Sequence, residues 1–184
     1  MQSRAISVSK DHKWIVCGTV EGASVWDAEM REKAIDVEGR KGMWAVHVSP
    51  DSTRFATGTP SAEASVWNIA TGERLVGPLK QHHWVIGIRF CPSAERVATA
   101  CRGNSIHVFD SHTGDELVTI KIDITYKVAT PLAWSNDGQR IFATSYDNKI
   151  RTFGLLESGG HSQDGDDLLK VSVRSFPRRT EFSR

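Results

Sequence analysis

Ala64-Ser65-Val66-Trp67 is one of four short segments that end in an aromatic residue and together decide the fold of this chain. The other three have the same form: Ala23-Ser24-Val25-Trp26, Ile106-His107-Val108-Phe109 and Ile150-Arg151-Thr152-Phe153. Their terminal aromatic residues are 41, 42 and 44 residues apart. A nearly constant period indicates an array of similar structural units, and it outweighs the local preference of any single segment.

Two further series of apolar residues keep this spacing, with intervals of 40, 42 and 44 residues in both: Ile15, Phe55, Val97, Ile141 and Ile6, Val46, Ile88, Leu132. Within a unit, apolar residues alternate with polar ones, as at Trp44, Val46 and Val48, which is typical of β-strands. Turn-forming segments such as 49–52 separate the strands. The sequence therefore predicts a four-stranded antiparallel meander of about forty residues, the size of one propeller blade.

Composition and charge exclude several classes of protein. The 184 residues carry 23 Lys and Arg against 22 Asp and Glu, so the basic surface of a nucleic-acid-binding protein is not expected. Three cysteines, Cys17, Cys91 and Cys101, form neither a disulfide framework nor a paired zinc motif. No secretory signal or membrane span is recognisable. We predict a cytoplasmic protein without a membrane or nucleic-acid partner.

No pattern in the sequence predicts an active site. The seven histidines follow no metal-ligand spacing, and neither a GxSxG segment nor a phosphate-binding glycine loop is present. Carboxylates are scattered through turns without an evident pair for acid-base chemistry. The sequence therefore predicts no catalytic residue, no cofactor and no metal site, and the chain is not expected to be an enzyme.

Over roughly residues 4–157 the chain resembles the WD-repeat family. The segments Ser24–Asp27 and Ser65–Asn68, read as SVWD and SVWN, are similar to the family's signature dipeptide and the strand leading to it. A wider combination resembles repeats of the fungal NACHT/WD-repeat incompatibility type: Ser49-Pro50-Asp51, Phe55-Ala56-Thr57-Gly58, Trp67-Asn68, Thr71-Gly72-Glu73 and Gly77-Pro78-Leu79. The implied fold is all-β, a β-propeller with four four-stranded antiparallel blades.

The resemblance also implies a hydrogen-bonded set of His, Ser or Thr, Asp and Trp in each blade. The third repeat offers His82, Thr99 and Phe109, with Gly103 where the family has Asp, and the fourth repeat offers Asp147. No repeat carries the full set. The residues assigned to this structural signature are Trp26, Trp67, Phe109, Phe153, His82, Thr99 and Asp147.

The family's partner-binding rim maps onto six residues of this chain, at the starts of first strands and in the turns before third strands. These are Arg4, Trp44, Trp84, Ile86, Arg102 and Tyr146. Aromatic residues and Arg contribute most per residue at protein interfaces, which favours a binding role. Trp44 and Ile86 also suit packing between blades, whereas Arg102 and Tyr146 lie in loops without an obvious core role.

Four repeats make an open arc, because related propellers usually close with seven or eight blades. We expect the repeats at about residues 4–40, 43–80, 84–122 and 128–157. Residues 158–184 form a polar tail, in which 169–174 alternates again and is a candidate last strand of blade four. An open arc predicts self-association or completion of the propeller by another chain. A closed four-bladed ring is the rival arrangement.

These features predict a non-catalytic platform for protein–protein interaction, as the sensing or recognition part of a larger signalling assembly. Two alternatives stay open. The chain could be a propeller fragment without autonomous function, or an enzyme that uses the central channel.

Overall fold

A computed structural model describes residues 3–38, 42–122, 128–145, 150–157 and 169–176. These residues form sixteen strands and no helix. The first sheet contains β1 Ser3–Val8, β2 Trp14–Thr19, β3 Gly22–Asp27 and β4 Glu32–Glu38. The second contains β5 Ala45–Val48, β6 Arg54–Gly58, β7 Glu63–Asn68 and β8 Arg74–Lys80. The third contains β9 Val85–Phe90, β10 Arg96–Cys101, β11 Ser105–Asp110 and β12 Glu116–Lys121. The fourth contains β13 Val128–Trp134, β14 Arg140–Ser145, β15 Ile150–Glu157 and β16 Leu169–Phe176.

Each sheet is an antiparallel meander, because its strands neighbour one another in chain order. The innermost strands β1, β5, β9 and β13 contact one another in succession. The predicted all-β architecture of four four-stranded blades is confirmed, and the four described sheets do not close into a ring.

Three apolar clusters fill the three seams between neighbouring sheets. Val16 and Val25 of the first sheet pack against Phe55 of the second. Val66 of the second sheet packs against Phe109 of the third, and the seam between the third and fourth sheets is filled in the same way. Burial of apolar side chains is the main favourable term in folding, so these seams hold the sheets together.

Equivalent residues of the innermost strands show where the arc ends. Val46, Ile88 and Leu132 are 3%, 2% and 4% exposed, because each lies in a seam against the preceding sheet. Ile6 occupies the same position in the first sheet and is 66% exposed, and its neighbour Val8 is 51% exposed. One apolar face of the first sheet is thus uncovered by the described residues.

One seam also has a polar contact. The Arg54 guanidinium is buried between the second and third sheets and donates to the carbonyl oxygen of Ala94 at 2.8 Å. It donates also to Ser111 Oγ at 3.1 Å and lies over the Phe90 ring at 5.6 Å. These partners satisfy a charged group that burial would otherwise leave unpaired.

The signature aromatic residues occupy the third strand of each sheet. Phe109 and Phe153 are buried, and Trp67 is partly buried and stacks on Phe55 at 6.2 Å between ring centroids. Trp26 is also partly buried. A packing function for these rings is consistent with their positions.

The outermost strand of the fourth sheet comes from the polar tail. β16 pairs antiparallel with β15 along its whole length, from Leu169 opposite Glu157 to Phe176 opposite Ile150. The remaining tail residues, 158–168 and 177–184, lie outside the described part of the chain. The predicted repeat limits stay a prediction. No described helix has the length and apolar character needed to cross a bilayer.

Candidate partner-binding rim

Two predicted rim residues are the extra residues of β-bulges. The pairing of β1 with β2 shifts on either side of Arg4, and the pairing of β9 with β10 shifts on either side of Ile86. A bulge bends its strand and re-aims the side chain of the extra residue. Arg4 and Ile86 are therefore irregular positions at the same end of their sheets, where the innermost strands begin. We call this end the rim.

Four of the six predicted rim residues come together as a continuous ladder. Arg4 Cζ lies 4.8 Å from the centroid of the Trp44 ring, and Arg102 Cζ lies 4.6 Å from that of Trp84. The two Trp rings meet edge to face, with centroids 5.3 Å apart and planes at 81°. Cation–π and aromatic contacts at these distances are attractive. The Arg–Trp ladder, Arg4–Trp44–Trp84–Arg102, thus joins the first three sheets.

Backbone hydrogen bonds fix the ladder to the sheets. The Trp44 N–H donates to the carbonyl oxygen of Gly58 at 2.9 Å, and the Arg102 N–H donates to that of Trp84 at 2.9 Å. Trp84 is nevertheless 40% exposed. The ladder therefore presents aromatic surface to solvent from anchored positions, as a binding surface requires.

A cleft of about 270 Å³ runs from the ladder between the innermost strands. Trp44 and Ile86 are part of its lining, with apolar residues of β1, β5, β9 and β13. Arg89 is the charged residue of this lining. Burial lowers the pKa of the Arg89 guanidinium, because its charged form loses hydration. The fifth predicted rim residue, Ile86, thus lies in the cleft, and the sixth, Tyr146, lies outside the described residues.

The expected contact of His82 with Thr99 is made by the neighbouring residue instead. Thr99 Oγ1 donates to Gln81 Oε1 at 2.9 Å, and Cys101 Sγ donates to the same oxygen at 2.5 Å. His82 is exposed. Gln81 is thus the hydrogen-bond partner of the buried Thr99 in the described structure, and the assignment of His82 to the structural signature stays a prediction. Asp147 lies outside the described residues.

Gly103, where the family has Asp, leaves room for a histidine. A Cβ atom at Gly103 would lie 1.9 Å from Cδ2 of His83, so the imidazole occupies the space of a side chain there. In the second sheet the equivalent pair is closer to the family pattern, since Trp67 Nε1 donates to Thr57 Oγ1 at 2.8 Å. The third sheet thus replaces the family's set with contacts of its own.

A second polar cluster surrounds His107 in the seam between the second and third sheets. Its Nε2 lies 2.8 Å from Ser105 Oγ, and its Nδ1 lies 2.7 Å from Glu116 Oε1. Burial tends to raise the pKa of Glu116, but hydrogen bonds from Thr119 and His107 outweigh it, so this pKa lies below its ordinary value. The order of groups resembles a Ser–His–acid triad. However, the imidazole is only 4% exposed, which favours a structural role.

Among the described residues, Cys101 and the possible metal ligands can be compared with what a reactive or metal-binding centre needs. Burial raises the pKa of the Cys101 thiol to about 12, which disfavours the nucleophilic thiolate. Within the described ranges, no group of three or more His, Cys, Asp and Glu side chains is arranged to hold a metal ion.

Sequence reasoning missed Gln81, His83, Ser105 and Glu116. Gln81 and His83 flank the predicted His82, so a shift of one residue would have found them. Glu116 meets His107 only through the pairing of β11 with β12, whose register shifts between Val108 and Phe109. No sequence signal fixes such a shift.

Comparisons with known proteins concern the repeats and the fold of this chain. The family model for the WD40 family, described as "WD domain, G-beta repeat", matches residues 73–110 and 130–153. These two matches fall on strands of the second, third and fourth sheets. They cover the signature residues Phe109 and Phe153.

Three curated relatives are all named "Small ribosomal subunit protein RACK1". The Drosophila melanogaster protein is 29% identical over 152 residues, covering 78% of this chain and 47% of the relative. The Caenorhabditis elegans protein is 31% identical over 116 residues, covering 59% and 35%. The Neurospora crassa protein is 29% identical over 140 residues, covering 72% and 44%. The chain thus spans less than half the length of these relatives.

A solved structure shows the same fold. The β-propeller domain of Myceliophteria thermophila Cps50 (Swd1) superposes with a TM-score of 0.74 at 16% sequence identity, covering 96% of this chain and 60% of that chain. The finer resemblance to fungal NACHT/WD-repeat proteins is not among these findings and stays a prediction. Residues 73–110 and 130–153 are thus similar to WD40 repeats, and the four meander sheets share the β-propeller fold of the solved structure.

Proposed function

We propose that this chain is a non-catalytic platform that binds other proteins through its rim. The observation that carries the proposal is the Arg–Trp ladder, which holds four side chains of the kinds most common at binding hot spots on a rigid scaffold. Loops and strand ends on a rigid scaffold are where binding functions concentrate. The mechanism is surface complementarity, without a chemical step.

The comparisons support the general part of this proposal. The curated relatives are proteins of the small ribosomal subunit by name, and therefore parts of a large assembly. We infer that this chain also acts within a larger assembly in the cytoplasm, where it supplies a recognition surface. A sensing role in a signalling assembly is the more specific form of this inference.

A peptide-display selection tests the proposal. The unmodified chain is expected to enrich a family of peptides, and the W44A/W84A variant is expected to lose that enrichment, because the exposed aromatic surface is removed. The control is Leu75→Ala, which removes an exposed apolar side chain on the outermost strand β8.

The result also separates the alternatives. Failure to enrich peptides, with a folded protein by circular dichroism, would contradict the platform. Equal enrichment by the W44A/W84A variant would move the binding surface away from the rim. An unfolded or aggregated chain would favour a fragment without autonomous function.

A further inference from the structure

We propose that the Arg–Trp ladder recognises an acidic peptide segment, with two carboxylates that bind Arg4 and Arg102 and an apolar side chain that packs on Trp84. This inference deepens the proposed platform function and rests on it. It follows from the geometry of the four ladder residues and from the charge of the adjoining cleft.

The two guanidinium groups keep their hydrogen-bond donors available. Each is stacked over an indole ring, at 4.8 Å for Arg4 and 4.6 Å for Arg102. A guanidinium held over a ring by cation–π attraction still has N–H groups that can donate to a planar acceptor such as carboxylate. Among the described residues, neither group has an ion-pair partner. Two carboxylates from another molecule could therefore each form an ion pair with one of these guanidinium groups.

The aromatic centre of the ladder favours an apolar residue between the two acids. Trp84 is 40% exposed, and the edge-to-face contact with Trp44 holds its ring in place. A preoriented ring costs little conformational entropy when it binds. The successive separations of 4.8, 5.3 and 4.6 Å keep the two guanidinium carbons within about 15 Å, which four or five extended residues span at ~3.3 Å each.

The cleft beside the ladder has the same charge preference. Its lining is apolar except for Arg89, whose side chain donates to the carbonyl oxygen of Ile88 at 3.3 Å. No carboxylate occurs among the lining residues. Ladder and cleft together present three positive groups on apolar surroundings, which is complementary to an acidic and apolar peptide.

A peptide fits better than a nucleic acid. The chain has a net charge of only +1, so the extended basic surface that follows a phosphate backbone is not expected. The two indole rings are also perpendicular and in contact, which leaves no slot for a base between them.

The test uses a fluorescein-labelled peptide with the core Asp-Leu-Trp-Leu-Asp and a matched peptide with Asn in place of both Asp residues. Fluorescence anisotropy with the full chain is expected to show about tenfold tighter binding of the acidic peptide, because hydrogen bonds to charged groups are the stronger ones. The advantage is expected to shrink from 50 to 500 mM salt, since exposed charges are screened.

Matched substitutions locate the site. Arg4→Gln and Arg102→Gln are each expected to weaken the acidic peptide several-fold and to leave the Asn peptide unchanged. The control is Arg74→Gln, because Arg74 also stacks on an indole, that of Trp67 at 5.9 Å, but lies on the outer strand β8. Circular dichroism melting of each variant checks the fold.

Three outcomes would overturn the inference. They are equal binding of the two peptides, an equal loss with Arg74→Gln, or tighter binding of a labelled oligouridine than of the acidic peptide. In the first case, peptide enrichment in the display selection would still uphold the platform function. The two proposals can therefore fail separately.

Discussion

Burial and a nearby positive charge both lower the pKa of His47. The Phe90 N–H donates to Nδ1 of His47 at 3.1 Å, so this nitrogen is unprotonated in the folded chain. Burial, and then the charge of Arg89, lower the pKa of His47 from 6.5 to about 4. A neutral imidazole thus links the innermost strands of the second and third sheets at pH 7.

This shift predicts loss of stability in mild acid. As the pH falls from 6.5 to 4, the unfolded chain binds a proton at His47 and the folded chain does not, so the free energy of unfolding decreases. At about 1.4 kcal/mol per pKa unit, the loss is up to about 3 kcal/mol. Urea unfolding followed by Trp fluorescence at pH 7, 5.5 and 4.5 measures it.

His47→Asn is the informative variant for this prediction. The Asn carbonyl can accept the Phe90 N–H but does not titrate, so the stability of this variant should depend less on pH in this window. An unchanged slope in His47→Asn would show that another group titrates.

Neighbouring sheets approach each other closely where the second strands end. A Cβ atom at Gly58 would lie 2.4 Å from Cγ1 of Val85 in the third sheet. At Gly18, the equivalent position in the first sheet, it would lie 2.4 Å from the carbonyl oxygen of Met43. The absence of a side chain at these positions therefore sets the spacing of the seams near the rim.

Gly58→Ala is accordingly expected to destabilise the chain by about 1–3 kcal/mol, because overpacking displaces the neighbouring sheet. Chemical denaturation measures the change. Val85→Ala removes the nearest atom, so the double variant should lose less stability than the sum of the two single variants. Strictly additive losses would mean that the clash at Gly58 is relieved elsewhere.

The strands themselves could be predicted from the sequence because alternation at Trp44, Val46 and Val48 has only one structural explanation. Three series of landmarks in one register then gave the number and order of the sheets. Because each landmark occurs once in every repeat, a repeat with an irregular sequence can still be aligned with the other three.

Details that occur once could not be predicted. The bulges at Arg4 and Ile86 depend on pairing geometry, which leaves no mark on composition. The sequence does not show whether Gln81 or the adjacent His82 accepts the hydrogen bond from Thr99. The rim residues were predicted through the family resemblance, but their contacts in the ladder depend on how neighbouring sheets are placed, which the sequence does not show.

For the whole molecule, the uncovered face of the first sheet predicts a difference between two equivalent residues. Ile88→Thr should cost about 2 kcal/mol or more, because Ile88 is 2% exposed in a seam. Ile6→Thr should change stability by less than about 0.5 kcal/mol, because Ile6 is 66% exposed. Denaturant unfolding of the two variants in the 184-residue chain compares them.

Analytical ultracentrifugation of the same proteins tests whether the uncovered face of the first sheet causes self-association. Uncovered apolar surface favours association, so the unmodified chain should sediment with concentration-dependent mass, and Ile6→Thr should reduce this dependence. An equal loss of stability in Ile6→Thr and Ile88→Thr would indicate that the first sheet is covered, as in a closed ring.

At Arg4 and Ile86, the bulges place side chains of the proposed rim outside the regular pairing that holds the strands in register. Because the extra residue of a bulge has no partner opposite it, its identity can change while the pairing on either side is kept. Substitutions at these two positions could therefore change the proposed binding specificity and leave the pairing of the neighbouring strands as it is.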